Sequence, residues 1–199
     1  HNKIKPNVTP SKINTYKRFG TAMISHDNYK IEFVGARKES YSKDSRNPSI
    51  EMGSFMDDML RRDFTINTLA LSLNTKTFGN LIDTFDGIND LEKGVIITPT
   101  EPDKTFIDDP LRMLRAVRFA CQLDFQIDKN TTKSIIKNSD RINILSSERI
   151  ADEINKILMT KTPSNGFKNL EKLKILDYII PELIDLRGVE EVEGQTHKD

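Results

Sequence analysis

The chain has 199 residues, with 30 Lys+Arg against 30 Asp+Glu, 36% hydrophobic residues, one cysteine and no tryptophan, a length that suits one ordinary domain or two small ones. No run approaches the ~20 apolar residues of a membrane helix, which excludes a helical span. The lone Cys121 excludes an internal disulfide, and no Cys/His cluster has zinc spacing, which points to a reducing compartment.

The zero net charge hides a gradient. Residues 1–50 carry 10 basic and 4 acidic side chains, residues 51–110 carry 5 and 12, and residues 111–199 carry 15 and 14. A basic opening beside an acidic middle fits a site that handles phosphates with a metal, and equally a patchwork of solvated faces. The chain opens at His1 with no apolar signal-peptide core, and both ends read as cut from something longer.

In chain order, Phe19 to Ser25 and Lys30 to Ala36 form a β-hairpin about the turn cluster His26-Asp27-Asn28. Lys38 to Gly53 is polar, carries Pro48 and predicts a long mobile loop. From Ser54, a capping residue with Asp57 and Asp58 in the first turn, the pattern predicts a helix running through Arg61-Arg62-Asp63 to Ala70. Leu69 to Leu73 and Phe78 to Phe85 predict a second hairpin, which Asp86-Gly87 breaks, and Val95 to Thr98 a short strand. Downstream everything reads as helix, in spans near 103–124, 128–138, 146–159 and 165–177. A mixed α/β part thus precedes a helical part.

Three constellations carry chemistry. On a helical wheel with Asp109 at zero, Arg112, Arg115 and Arg118 fall at about 300°, 240° and 180°, opposite Leu111, Met113, Leu114, Val117 and Cys121. Arginine forks suit phosphates and base edges, although arginines buried against neighbouring carboxylates would give the same pattern. A carboxylate that accepts an exocyclic amine, one turn from a guanidinium that donates to a ring nitrogen or carbonyl, makes an edge selecting cytosine or adenine over uracil.

The second is Arg61-Arg62-Asp63 with Asn67, where an Asp/Asn pair at i,i+4 can hold a ribose hydroxyl and an arginine can reach a phosphate, or where all four are structural. The third is Glu32 between Ile31 and Phe33, a strand acid that is costly unless exposed, paired or metal-bound. Ser146-Ser147-Glu148-Arg149 resembles a capping box, so Glu148 and Arg149 read as mainly structural.

Together Arg61-Arg62-Asp63-Phe64-Thr65-Ile66-Asn67, Leu81-Ile82-Asp83-Thr84-Phe85-Asp86-Gly87, Asp108 to Ala120, and Ser147-Glu148-Arg149-Ile150 with Glu153 resemble, in order, the class II tRNA nucleotidyltransferase and poly(A) polymerase family of the DNA polymerase β superfamily. The resemblance covers roughly residues 18–192. It implies an α+β fold: a partial nucleotidyltransferase head over 1–102, with a small mixed sheet and helices. An all-helical neck and body region over 103–187 selects nucleotide and binds RNA, and a linker to a further domain runs over 188–199. It implies template-independent CCA addition from CTP and ATP to the tRNA 3′ end (the acceptor stem), with two magnesium ions, in the cytoplasm.

By the same resemblance, Arg61, Arg62 and Asp63, with Asn67, hold sugar and phosphates. Asp109 and Arg112 select the base with Arg115 and Arg118 nearby on the nucleotide, Asp83 to Gly87 is a hinge, and residues 38–53 are a mobile loop that helps switch from C to A addition. Glu32 occupies the place of the superfamily's third metal carboxylate, and Lys156 and Lys161 are expected on the acceptor stem. The Asp-x-Asp metal pair that the family carries should precede residue 18, where the chain has no Asp or Glu. The chain is therefore expected to bind nucleotide weakly and not to catalyse. Poly(A) addition, and a non-catalytic RNA- or nucleotide-binding module, are the alternatives.

Overall fold

The structure, a computed structural model, describes residues 13–16, 20–26, 29–42 and 45–186. Lys17-Arg18-Phe19, the Asp27-Asn28 turn, the termini with His1 and His197, and the 188–199 linker lie outside these. The chain divides into two compact units, residues 1–40 with 49–58, and residues 41–48 with 59–199.

In the first unit β1 (Ile13–Tyr16), β2 (Thr21–His26) and β3 (Tyr29–Val34) form an antiparallel sheet in the order β1-β2-β3. The expected hairpin is β2–β3, with Thr21 opposite Val34 and His26 opposite Tyr29. Alternation along the register gathers Ile13, Ile24 and Ile31 on one face and Met23 and Glu32 on the other. Every residue of β3 is exposed.

The expected 38–53 loop is instead β4 (Arg37–Ser42) and β5 (Ser45–Met52), paired as a two-stranded sheet. Hydrophobic alternation reveals a strand only when one face is buried. The segment is polar, and Lys38, Ile50, Glu51 and Met52 are exposed, so no apolar alternation marks the ladder in the sequence.

Helix α1 (Phe55–Leu60) starts as the sequence predicts. Ser54 Oγ accepts from the Asp57 amide at 3.2 Å while the Asp57 carboxylate takes the Ser54 amide at 2.8 Å, reciprocal bonds that satisfy helix-end donors. These contacts with Ser54 hold the Asp57 carboxyl below its ordinary range.

The helix does not run on to Ala70. Phe64 is extended, at φ −133° and ψ 152°, and only a 3₁₀ turn over Thr65–Asn67 follows. The Asp63 carboxylate takes the Phe64 amide at 3.0 Å, and the Thr65 amide bonds Ile97 O at 2.8 Å, so neither amide is left for an α-helix.

The remainder of the second unit begins with the expected second hairpin, much shortened, as β6 (Ala70–Leu71) against β7 (Leu81–Ile82). Where the sequence pattern predicts the end of a strand, at Asp86-Gly87, helix α2 (Gly87–Lys93) starts. It stops at Gly94, whose φ of 65° is left-handed and whose amide bonds back into the last turn. Strand β8 (Val95–Ile96) pairs in parallel with β9 (Gln126–Ile127), a strand inside the region that reads as wholly helical.

The span expected as one helix, 103–124, is two: α3 (Pro102–Asp108) and α4 (Leu111–Leu123), broken at Asp109-Pro110. A residue before proline is pushed out of the helical region, and Asp109 stands at φ −143° and ψ 102°. Helix α5 (Lys129–Asn138) is capped by Asp128, as expected, whose carboxylate accepts from the Asn130 and Thr131 amides. A 3₁₀ turn over Ser139–Ile144 leads to α6 (Ser147–Leu158), then α7 (Pro163–Lys172), α8 (Leu176–Ile179) and α9 (Glu182–Asp185). The capping-box bond expected at Ser146 is not made.

One core serves this unit: Phe64, Phe106, Met113, Leu114, Val117, Ile135, Ile142, Ile157, Leu170 and Ile175 are fully buried. Burying such side chains contributes roughly 1.5–3 kcal/mol each. Helix α4 lies at its centre, packed on α6 and α7. Gly166 of α7 permits that approach, because a Cβ there would meet Ile157 Cγ2 at 2.3 Å and Cys121 Sγ at 3.1 Å. The apolar wheel face of α4 is buried as predicted. So too are Arg112 and Arg118, each 8% exposed, which a two-faced wheel does not anticipate.

Candidate functional site

The site is assembled by the Asp63 turn, the Asp109-Pro110 break, α4 and α6. Asp63, 7% exposed, has one oxygen bonded to the Phe64 amide and to Asn67 Nδ2 at 2.9 Å. Its other oxygen accepts from Arg115 Nε at 2.6 Å. The expected Asp63/Asn67 pairing thus forms without the expected α-helix. Arg62 Nη1 donates to Asn67 O at 3.1 Å, folding that arginine back over the turn. Arg112 donates from Nη2 to Arg61 O at 2.7 Å and from Nη1 to Thr105 O at 3.4 Å. A single guanidinium therefore joins the Arg-Arg-Asp turn to the last turn of α3.

Asp109 is not on α4, so its place on the wheel does not hold. It stands in the break between helices, where Oδ1 accepts from the Leu111 amide at 3.1 Å. Arg149 of α6 reaches its Oδ2 at 3.2 Å and Oδ1 at 3.5 Å. The residues Asp109, Arg112 and Arg115 are brought together with the Asp63 turn through these bonds.

Arg118 takes a different course. Its Nη1 lies 3.1 Å from Glu153, which also accepts from Lys156 Nζ at 2.8 Å. The Arg118 guanidinium stacks 4.4 Å from the Phe119 ring, with Arg115 over that ring at 5.3 Å. Burial pulls the Arg118 guanidinium below its ordinary range, and Glu153 opposes that shift. Arginines buried against carboxylates, one of the two sequence readings, describes Arg118 in this structure, while Arg115 is half-buried against the buried Asp63.

The turn itself is held from α2. Thr65 Oγ1 donates to the Asp90 carboxylate at 2.6 Å inside the core. Gly87 lies so close that a Cβ would meet Thr65 O at 2.5 Å. Asp83 accepts the Gly87 and Ile88 amides at 2.8 and 2.9 Å, and these bonds, that of Ile88 foremost, hold its carboxyl below the usual range. The Asp83 and Gly87 positions expected as a hinge stand at the start of helix α2. The Lys93-Gly94 ending was the sequence signal that could have revealed it.

Lys156 and Lys161 line a surface cleft of ≈ 430 Å³ with Gln122, Asn155, Met159 and Thr160. Glu32 is exposed on β3, opposite Met23. Among the described residues no group of three His, Cys, Asp or Glu gathers to hold a metal ion. Glu32 alone does not fit a two-magnesium site. Sequence reasoning missed Arg149 as a partner of Asp109, and Glu153 as the counter-charge of Arg118. Their i,i+4 spacing on α6, on the side that buries Ile154 and Ile157, was the available signal.

Residues 2–97 match the family described as the poly A polymerase head domain, and residues 124–186 match that described as a probable RNA and SrmB-binding site of polymerase A. The chain belongs to this family of poly(A) polymerases and tRNA nucleotidyltransferases. Among curated members of the family, a CCA-adding enzyme of Pediococcus pentosaceus is 39% identical over 83% of this chain and 41% of its own length. An A-adding tRNA nucleotidyltransferase of Aquifex aeolicus is 36% identical over 84% of the chain and 20% of its own. The chain thus spans about two fifths of the first relative and one fifth of the second. A solved tRNA nucleotidyltransferase, complexed with a primer tRNA and an incoming ATP analogue, superposes with a TM-score of 0.73 at 31% identity, over 85% of this chain and 47% of that one. No helix among the described residues is long and apolar enough to cross a membrane.

Proposed function

We propose that this chain is the nucleotide-reading part of a cytoplasmic enzyme that adds CMP and AMP, from CTP and ATP, to the 3′ end of tRNA. The observation that carries the reading is the coupling of two motifs. Arg112 is bonded to Arg61 O at 2.7 Å and Arg115 to Asp63 at 2.6 Å, so a sugar-and-phosphate turn and a base edge adjoin. In this reading Asp63 and Asn67 meet the ribose, Arg61 and Arg62 the phosphates, Asp109 accepts the exocyclic amine, and Arg112 donates to the ring. Arg115 orients Asp63, while Arg118 supports the base edge from within the core.

Transfer in this family would draw on magnesium to activate the attacking 3′ hydroxyl and to neutralise the triphosphate. Glu32 is the carboxylate proposed for that role here, and by itself it does not assemble two metals. The 199-residue chain is therefore expected to bind CTP and ATP without transferring them. The test is a tRNA 3′-end labelling assay with the chain and with its Asp109→Ala variant as control. C or A addition above the control would overturn the expected inactivity, and absence of CTP binding by titration would overturn the reading itself.

The A-adding relative supports a narrower outcome, in which the parent enzyme adds A alone. Tailing of tRNA lacking its end, against unstructured RNA, by the parent enzyme separates CCA, A-only and poly(A) addition. A non-catalytic module would bind RNA and nucleotide with no tailing in any arm.

A further inference from the structure

Three ion pairs surround the proposed base edge, and they are not alike. Arg115–Asp63 is short, at 2.6 Å, with the carboxylate buried. Arg118–Glu153 is buried on both sides, its side chains 10% and 3% exposed. Arg149–Asp109 is longer, at 3.2 Å, and its side chains are 38% and 24% exposed. Exposed pairs of this length contribute little to stability, on the order of 0–1 kcal/mol, so a stabilising role does not account for Arg149.

Orientation does. The Asp109 carboxylate offers about four lone-pair positions. The Leu111 amide takes Oδ1 at 3.1 Å from the helix side, and the Arg149 guanidinium bridges Oδ2 and Oδ1 at 3.2 and 3.5 Å from α6. The first bond anchors the group and the second fixes its rotation. Acceptor capacity remains for one more donor. Arg112 is similarly fixed by Arg61 O and Thr105 O and keeps further N–H groups to give.

We propose that Arg149 is a positioning residue that sets base selectivity, by holding the Asp109 carboxylate in one orientation at the base edge. This rests on the base-reading role given to Asp109 above. An exocyclic amine, as on cytosine or adenine, adds a further bond to such a group, whereas a carbonyl at the same place, as on uracil, meets two negative oxygens. Without Arg149 the carboxylate is free to rotate away from that orientation, and the preference narrows.

The experiment is titration of the 199-residue chain and its Arg149→Gln variant with CTP, ATP and UTP, followed by NMR shift changes, with circular dichroism to verify the fold. The expected result is a preference of CTP and ATP over UTP in the unaltered chain that falls about tenfold in Arg149→Gln, the scale of one lost base-edge discrimination. Arg149→Lys keeps a charge but not the bridging fork, so the preference falls less, by about two- to threefold. Should the glutamine variant not fold, the lysine variant decides on that smaller drop. An unaltered chain that binds all three equally overturns the base-reading role and this inference with it. A preference retained in the variants, or an equal loss for all three nucleotides, overturns the inference alone.

Discussion

Arg115 on α4 and Asp63 in the turn after α1 meet at 2.6 Å, although 52 positions separate them in the chain. The same carboxylate bonds the Phe64 amide and the Asn67 side chain, so one acid fixes a turn and attaches it to the central helix. Asp63→Asn and Arg115→Gln, made singly and together, are expected to show a coupling of about 0.5–3 kcal/mol in urea unfolding, as for groups sharing one network. Strict additivity would show that the turn does not depend on the ion pair.

Arg118 and Glu153 test the division between support and contact. Removing Arg118 leaves the buried Glu153 with Lys156 as its remaining cation, so Arg118→Met is expected to cost toward the lower end of the roughly 3–5 kcal/mol of a broken buried pair. Arg118→Met with Glu153→Leu should recover most of that loss in thermal unfolding. If the double variant regains stability and also keeps CTP affinity, Arg118 acts through the fold; regained stability with lost affinity would mean that it touches nucleotide.

Asp103 gives the acid limb of the stability curve a defined cause. It ties α3 to α5 through Lys137, Ser134 and Asn138, and these contacts, Lys137 first, hold its carboxyl below the ordinary range. A depressed folded pKa contributes stability that is present above the unfolded value, about 3.9, and is lost as pH falls through the folded one. Stability should therefore drop below about pH 4, and Asp103→Asn should flatten that drop. Lys137 works in the opposite direction, since its ammonium is raised by the same contact, so its share fades only as pH rises above about 10.4. An acid limb of unchanged slope in Asp103→Asn would remove this pair as its cause.

The cleft at the end of α6 carries the RNA prediction. Lys156 already donates to Glu153, whereas Lys161 is exposed. Lys161→Glu should weaken tRNA binding with little change in melting temperature. It should also lower the slope of log affinity against log salt by about 0.9 for each phosphate that is no longer neutralised. Lys156→Glu is expected to destabilise as well, since it sets an acid beside Glu153. Unchanged affinity and salt slope in Lys161→Glu would remove this cleft from the RNA path.

How far the sequence could be read depended on where the backbone bonds ended up. The apolar side of α4 was legible because Met113, Leu114, Val117 and Cys121 repeat at helical spacing. Asp128 and Ser54 announced their helices because a cap acts on its immediate neighbours. The end of α1 was not legible, because it depends on Asp63 taking Phe64's amide and on Ile97, a residue 32 positions beyond Thr65, taking the next.

At the site, residue identities were legible and partnerships were not. The wheel grouped Arg112, Arg115 and Arg118, but their partners at Arg61, Asp63 and Glu153 come from other elements and carry no periodic signal. Pro110 was visible in the sequence, yet a helical wheel is blind to its effect on Asp109, and this alone moved the proposed base-reading acid off the helix. The strands β4 and β5 were hidden because the segment is polar, with no apolar alternation to announce a backbone ladder.

The short parallel ladder between Val95-Ile96 and Gln126-Ile127 joins the chain just before α3 to the chain just after α4. Every residue from 97 to 125, including Asp109 and the three arginines of α4, therefore lies on a loop whose two ends are fastened to each other. Holding the two ends together restrains the whole loop at an entropic cost that grows only slowly with its length. A backbone cut near Asp109 would then leave both pieces tethered to the same base, so that a nicked chain keeps the proposed nucleotide-reading surface in register.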